Sequence, residues 1–308
     1  MTVLVFGSVN MDLFVDLERL PRPGETVVTA SYRTQPGGKG ANQAVAACRS
    51  GARVRLYGMV GEDGFGQTLL AGLGKEGVDV SGVGRAPQPT GVAFIAVDGK
   101  GENMIFGAIG ANLEAKADQV PDYLLGRDLI VVLQMEVSPA ENVILARRAR
   151  ARGARVLHNH APALPLPEGL LDATDILVVN EHEAAALAQF QGWAEREPRL
   201  VAARLTRERG LTAIVTLGET GAIATTARGI AAVPSLAVEV VDTVGAGDAF
   251  VGVLAASLDA GADLHEALRS ASVAGALACE KHGAQTGLPR RAEIERRLPE
   301  LGPIEALA

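Results

Sequence analysis

Short apolar runs rich in β-branched residues, separated by segments of helical spacing, constrain this chain more than any other feature. Val3 to Phe6, Val54 to Val60, Asp128 to Met135, Ala154 to His158, Ile176 to Val179 and Ala213 to Leu217 read as buried strands. Lys39 to Ser50, Phe65 to Lys75, Pro139 to Arg152, Glu181 to Gln189, Val201 to Arg209, Ala249 to Leu258 and Leu264 to Lys281 read as helices. This alternation predicts an α/β fold, a doubly wound and mostly parallel sheet flanked by helices.

Two regions interrupt the pattern. Gly24 to Thr34 and Thr90 to Phe106 are strand-like without helices between them, and Val92 to Val97 followed by Asp98-Gly99 is a hairpin signal. They are expected to form a small β-sheet lid over a cleft, with an edge extension of the main sheet as the alternative. The expected division is an α/β core of residues 1–11, 35–89 and 109–308, and a β lid of residues 12–34 and 90–108.

Polar residues gather where the expected strands end: Asn10 and Asp12 after the first, then Glu136, Asn159, Asn180 with Glu183, and Thr216 with Gly218. In open α/β sheets the ligand crevice lies at that edge, so these residues would converge on one site. Polar loop starts are also common without function.

The segment Val241-Asp242-Thr243-Val244-Gly245-Ala246-Gly247-Asp248 carries the sharpest chemistry. Val238 to Val241 reads as a short strand, and a helix is expected to begin near Gly247. Free amides at a helix start favour phosphate, and a fixed carboxylate there would repel it. Asp248 makes sense if it faces the other reactant and accepts a hydroxyl proton, as in a kinase. A helix-capping carboxylate is the plainer reading. Pro36-Gly37-Gly38-Lys39-Gly40-Ala41-Asn42-Gln43 opens another helix after a glycine turn, and Lys39 and Asn42, three apart, could grip a polyol together. Helix-start packing explains those glycines equally well.

Other motifs fail. No G-x-x-x-x-G-K-[ST] or G-x-S-x-G is present, and Gly72-Leu73-Gly74-Lys75-Glu76-Gly77 follows a helix, so Gly74 or Gly77 is expected to end that helix instead of binding a dinucleotide. His158 and His160 are expected on opposite strand faces, which argues against zinc. Cys48 and Cys279 form no metal-ligand spacing and are expected to be buried thiols.

Over 308 residues, hydrophobic types make up 48% and charged types 21%, which suits a folded globular chain. A formal charge of −7 argues against a nucleic-acid or anionic-membrane surface, so small molecules are the expected partners. The start at a strand-like Thr2 to Phe6 and the lack of a membrane-length apolar run lead to a cytoplasmic expectation. The exposed face of a lone small sheet suggests a homodimer through the lid.

With Gly7-Ser8-Val9-Asn10-Met11-Asp12, Gly37 to Gln43, Asn180-Glu181-His182-Glu183 and Gly245 to Asp248, the chain resembles the ribokinase-like (PfkB) sugar kinases from end to end. Gly101-Glu102-Asn103, Gln134-Met135-Glu136 and Gly283-Ala284-Gln285 strengthen the likeness to its ribose-specific branch. The resemblance implies ATP-dependent phosphorylation of the 5-hydroxyl of D-ribose, with Asp248 as base and the amides of Gly245, Ala246 and Gly247 as anion hole. It implies sugar contacts from Asn10, Asp12, Gly38, Lys39, Asn42 and Glu136, and nucleotide contacts from Asn180, Thr216, Gly218 and Gly221. It further implies Mg2+ organised by Glu183, through water, and a monovalent cation, K+, held by Asp242 and the carbonyls of Val244 and Gly283. A kinase of another sugar or of a nucleoside, or a non-catalytic sugar or nucleotide sensor, would share most of these residues.

Overall fold

The computed structural model describes residues 2–99 and 102–307; Lys100 and Gly101 of the expected lid, with Met1 and Ala308, lie outside the described residues. Ten strands form one sheet: β1 (Thr2–Phe6), β4 (Val54–Gly61), β5 (Asp79–Ala86), β8 (Leu129–Leu133), β9 (Arg155–Asn159), β10 (Ile176–Asn180), β11 (Thr212–Thr216), β12 (Ala222–Thr226), β13 (Gly229–Val233) and β14 (Glu305–Leu307). Their order across the sheet is β14-β13-β12-β11-β10-β9-β8-β1-β4-β5. The run from β11 to β5 is parallel throughout, and β12, β13 and β14 extend it antiparallel. Fully buried runs such as Leu129–Leu133 require helices on both faces, and the helices supply them.

Those helices are α1 (Lys39–Arg49), α2 (Gly64–Lys75), α3 (Pro139–Ala151), α4 (Glu181–Phe190), α5 (Pro198–Arg209), α6 (Ala246–Asp259), α7 (Leu264–Ala278), α8 (Ala284–Gly287) and α9 (Arg291–Arg297). One core lies between the sheet and α1, α6 and α7; a second lies under α3 and a third under α4 and α5. Gly252 lets α6 settle on α1: a Cβ there would stand 2.5 Å from the Ala46 Cβ and 2.5 Å from the Gln43 carbonyl. That close approach brings the first turn of α6 over the first turn of α1.

A second sheet has the order β3-β2-β6-β7, from β2 (Asn10–Leu17), β3 (Arg33–Gly37), β6 (Gly91–Asp98) and β7 (Asn103–Ala108). It is a separate sheet and not an edge extension of the main one. Phe94 and Phe106 stack on it with ring centroids 5.2 Å apart, and Ile105 and Phe106 remain 58% exposed.

Several expectations are corrected. Asn10 and Asp12 follow β1 as expected but stand in a strand of their own, β2, which starts at Asn10 and not at the expected lid boundary of 12, and in which Met11 and Phe14 are buried. Of Gly24 to Thr34 only Arg33 and Thr34 are strand, because residues 18–32 lack an apolar alternation to bury. Val238 to Val241 is irregular, and Val240 and Val241 are 62% and 44% exposed, so no sheet face claims them. Of the two glycines expected to end α2, Gly77 does follow its end, at φ 89°, while Gly74 lies inside the helix. Cys48 and Cys279 are only half-buried.

Candidate active site

Asp248 sits in the first turn of α6, 6% exposed. Gly245 precedes that helix at φ 84°, and a Cβ there would lie 2.8 Å from the Ala284 carbonyl, so conformation and space both demand glycine. No side chain caps the helix, and a Cβ on Gly247 would meet nothing within 4 Å. The start of α6 therefore presents amides to open space. Ala246 N makes only a long bond of 3.3 Å, to the Thr243 carbonyl.

That space is a cavity of about 200 Å³ lined by Lys39, Asn180, Glu183, Thr216, Gly245, Gly247 and Asp248, among others. It adjoins a larger cavity of about 690 Å³, with Thr216, Thr243 and Gly247 in common. Gly218, Gly221, Ala246, Phe250 and Ala276 line the larger one, a size and an apolar character suited to a drug-sized ligand. Ser272 lines it too, its hydroxyl donating to the Pro234 carbonyl at 2.6 Å.

On the other side of Asp248 lies a charged cluster. The Ser8 hydroxyl donates to Glu136 Oε2 at 2.5 Å, and the Lys39 amide donates to the same oxygen at 3.0 Å. Gly38, the residue before α1, packs so close to β2 that a Cβ would lie 2.7 Å from the Asn10 amide nitrogen. Burial, then the charges of Glu136 and Asp248, push the Asp12 carboxyl up to about 7, against the opposing pull of Lys39. For Lys39 burial works against the ammonium, but Asp248, Glu136, Glu183 and Asp12 outweigh it and raise its pKa. Glu183 is also raised by burial, opposed by its bond from the Asn180 amide and by Lys39. One partly buried cation thus serves four carboxyls that converge from β2, α4, α6 and the loop after β8.

Asn42 is buried, its Nδ2 donating to Asp248 Oδ2 at 2.9 Å, so it turns to the carboxylate. Asn180 and Glu183 form a reciprocal cap on α4, with both bonds at 2.8 Å. Asp242 joins two loops: Oδ1 accepts from the Val244 amide at 3.0 Å and Oδ2 from the Gly283 amide at 2.9 Å. Asn10, Asp12, Gly38, Asn42, Glu136, Asp242, Val244 and Gly283 line neither of these two cavities.

Four polar residues around the site carried no role in the sequence reading. Ser8 and Asn112 brace Glu136 and Asn10, and Gln43 and Gln134 stand behind Asp248. Buried amides flanked by alanine, as in Ala41-Asn42-Gln43-Ala44, were the available signal. His158 and His160 correct another expectation. Residues two apart in an extended segment share a face, and the rings meet edge-on with centroids 5.6 Å apart. Both rings are buried, which lowers their pKa values, and their nitrogens have no partner among the described residues. Among the described residues, no group of three or more His, Cys, Asp or Glu side chains could hold a metal ion.

An uncapped helix start, a buried carboxylate beside it and two adjoining cavities define a phosphotransferase site on a doubly wound α/β fold. The sequence profile described as pfkB family carbohydrate kinase matches residues 2–291. The chain belongs to that family of sugar kinases. It is 35% identical to a ribokinase of Lactococcus lactis over 306 residues, which covers 97% of each chain. Its structure is similar to that of a ribokinase from Thermotoga maritima, with a TM-score of 0.90, 32% identity and coverage of 97% and 99% of the two chains. An Arabidopsis thaliana ribokinase solved with ribose and ATP gives a TM-score of 0.87 at 30% identity, over 96% of this chain and 98% of that one.

Proposed function

We propose that this kinase transfers the γ-phosphoryl group of ATP to the 5-hydroxyl of D-ribose, with Asp248 as the base. The observation that carries the reading is the position of Asp248: buried in the first turn of an uncapped helix, on the wall of a cavity that adjoins a nucleotide-sized one. The likeness to ribokinases, one of them holding ribose and ATP, supports the choice of substrates.

In this reading the sugar lies among Asn10, Asp12, Gly38, Lys39, Asn42 and Glu136, where carboxyl, amide and ammonium groups suit adjacent hydroxyls. The nucleotide occupies the larger cavity beside Thr216, Gly218 and Gly221, with Asn180 near its phosphates. The amides of Gly245, Ala246 and Gly247 face the charge that grows on the transferring group. Asp248 takes the hydroxyl proton as the new bond forms, which a loose transition state requires only late.

A single carboxylate with substrate phosphates suffices for Mg2+, and Glu183 on the smaller cavity fits that use through bound water, where the ion neutralises phosphate charge. Asp242 is tied to the amides of Val244 and Gly283, and its carboxylate with the carbonyls of those two residues would supply oxygen donors to K+, which would steady the loop before α6. The small sheet acts as the lid; its strands run from Asn10 to Gly37 and from Gly91 to Ala108, slightly wider than the expected lid of residues 12–34 and 90–108 beside a core of residues 1–11, 35–89 and 109–308. Its exposed Met104 and Phe106, which share one face of β7, support a homodimer through that face. Among the described residues no helix is long and apolar enough to cross a membrane, and dependence on ATP supports a place in the cytoplasm.

The test is a panel of ribose, deoxyribose, fructose and nucleosides with Mg-ATP, reading ADP release and the phosphorus resonance of the product. Ribose is expected to give the highest kcat/KM with the phosphate on the 5-oxygen. Turnover confined to a nucleoside, or tight sugar binding without turnover, would replace the reading.

A further inference from the structure

Gln43 lies behind Asp248 and has no part in the reaction as described so far. It is fully buried on α1, three residues after Gly40. Its Nε2 donates to Asp248 Oδ1 at 2.9 Å and to Asn159 Oδ1 at 2.9 Å. Its Oε1 accepts from Gln134 Nε2 at 2.8 Å. A carboxylate only accepts, so Gln43 can face Asp248 only with its nitrogen. That leaves its oxygen for Gln134, which must answer with its own nitrogen. Gln134 is held in turn beneath Gly7, where a Cβ would lie 1.8 Å from Gln134 Oε1.

The second oxygen of Asp248 is treated alike. Oδ2 accepts from Asn42 Nδ2 at 2.9 Å, and the Asn42 oxygen accepts from Gln285 Nε2 at 3.1 Å. Both carboxylate oxygens are therefore gripped by an amide whose own orientation is set by a further amide. Such a clamp has a purpose beyond stability. The last torsion of an aspartate joins a tetrahedral to a planar carbon and is broad, so the side chain does not orient its own carboxylate. A base must aim a lone pair at the proton it takes, and each oxygen keeps one after its single bond from an amide.

We infer that Gln43, fixed by Gln134, is a positioning residue that sets the rotation of the Asp248 carboxylate so that a free lone pair faces the acceptor hydroxyl. The inference rests on the reading of Asp248 as the base. A structural role alone would lower stability and leave the chemistry of Asp248 untouched.

The experiment compares Gln43→Met and Gln43→Glu with the parent protein, using Mg-ATP and ribose, with thermal unfolding to establish folding. Gln43→Met is expected to lower kcat about 10- to 100-fold while both KM values stay within about threefold. Gln43→Glu sets a second carboxyl against Asp248, and the pair retains a proton, so the acidic limb of kcat against pH should move up by about one unit or more. Should Gln43→Met not fold, the pH profile of Gln43→Glu decides alone. In an Asp248→Asn background, Gln43→Met should cost no further turnover. A parental kcat in folded Gln43→Met, an unmoved acidic limb in Gln43→Glu, or an undiminished loss in the double variant would overturn the inference. Any of these beside an inactive Asp248→Asn would leave the base assignment standing; near-normal turnover of Asp248→Asn would remove both.

Discussion

Asn112 Nδ2 donates to Asn10 Oδ1 at 2.7 Å, and Asn112 Oδ1 accepts from the Val9 amide at 2.9 Å. A residue more than 100 positions away thus fixes the one at the head of β2, and it is only 1% exposed. Replacing it with alanine leaves the Val9 amide unpaired, at a cost of about 1–3 kcal/mol. Asn112→Ala is expected to lower the unfolding midpoint and to weaken ribose binding about tenfold while ATP affinity holds. Calorimetric titration with each ligand checks this, and an unchanged ribose affinity would detach Asn10 from the sugar.

Asp248→Asn keeps the shape of the side chain and removes the base. Turnover is expected to fall roughly 100-fold or more, with ATP affinity within a small factor. Steady-state kinetics with ribose and ATP decide the matter, and near-normal turnover would refute the role.

Asp12 gives a pH dependence of stability. Its carboxyl is raised from 3.8 to about 7 by burial and by Glu136 and Asp248, so the folded protein holds a proton that the unfolded chain releases. The stabilisation is complete below 3.8, is lost as pH rises toward about 7, and does not change further above it. Asp12→Asn removes this loss. The variant should melt higher than the parent at pH 8, by several degrees on the order of a few kcal/mol, and the gap should close as pH falls to about 4. Equal melting curves at both pH values would contradict the origin given for the shift.

Gly252→Ala would place a methyl 2.5 Å from Ala46 Cβ and from the Gln43 carbonyl. Relief requires α6 to withdraw from α1, at about 1–3 kcal/mol. Because Asp248 begins the same helix, kcat should fall about tenfold or more with stability, an effect a remote packing change would not have. Paired measurement of melting and turnover tests the link; a melting loss without a kcat loss would break it.

Apart from β5, where Ser81, Gly82, Gly84 and Arg85 interrupt the apolar run, the parallel strands were legible because they are apolar on both faces, as in Leu129 to Leu133, and such a run leaves few other structures open. The antiparallel edge was not. Ala222 to Thr226 and Gly229 to Val233 are short and rich in small residues, and β14 has three residues, too few for a period. β2 was hidden because Asn10, Asp12 and Asp16 look like loop polarity after β1; their alternation with Met11, Leu13 and Val15 was its sign. Lys39, Glu183, Thr216 and Asp248 were found through glycine turns and strand ends and do share a cavity. Gln134 and Asn112 were invisible and Gln43 was marked only by its alanine neighbours, since a buried amide is recognised chiefly by what it bonds across the fold.

β2 belongs wholly to the small sheet, where it pairs with β3 along one edge and β6 along the other. Asn10 and Asp12, two apart, project from one face of that strand. Any swing of the small sheet therefore carries both side chains toward or away from Lys39 and Glu136. With the sugar site proposed above, recognition of a polyol and exclusion of water would become a single displacement.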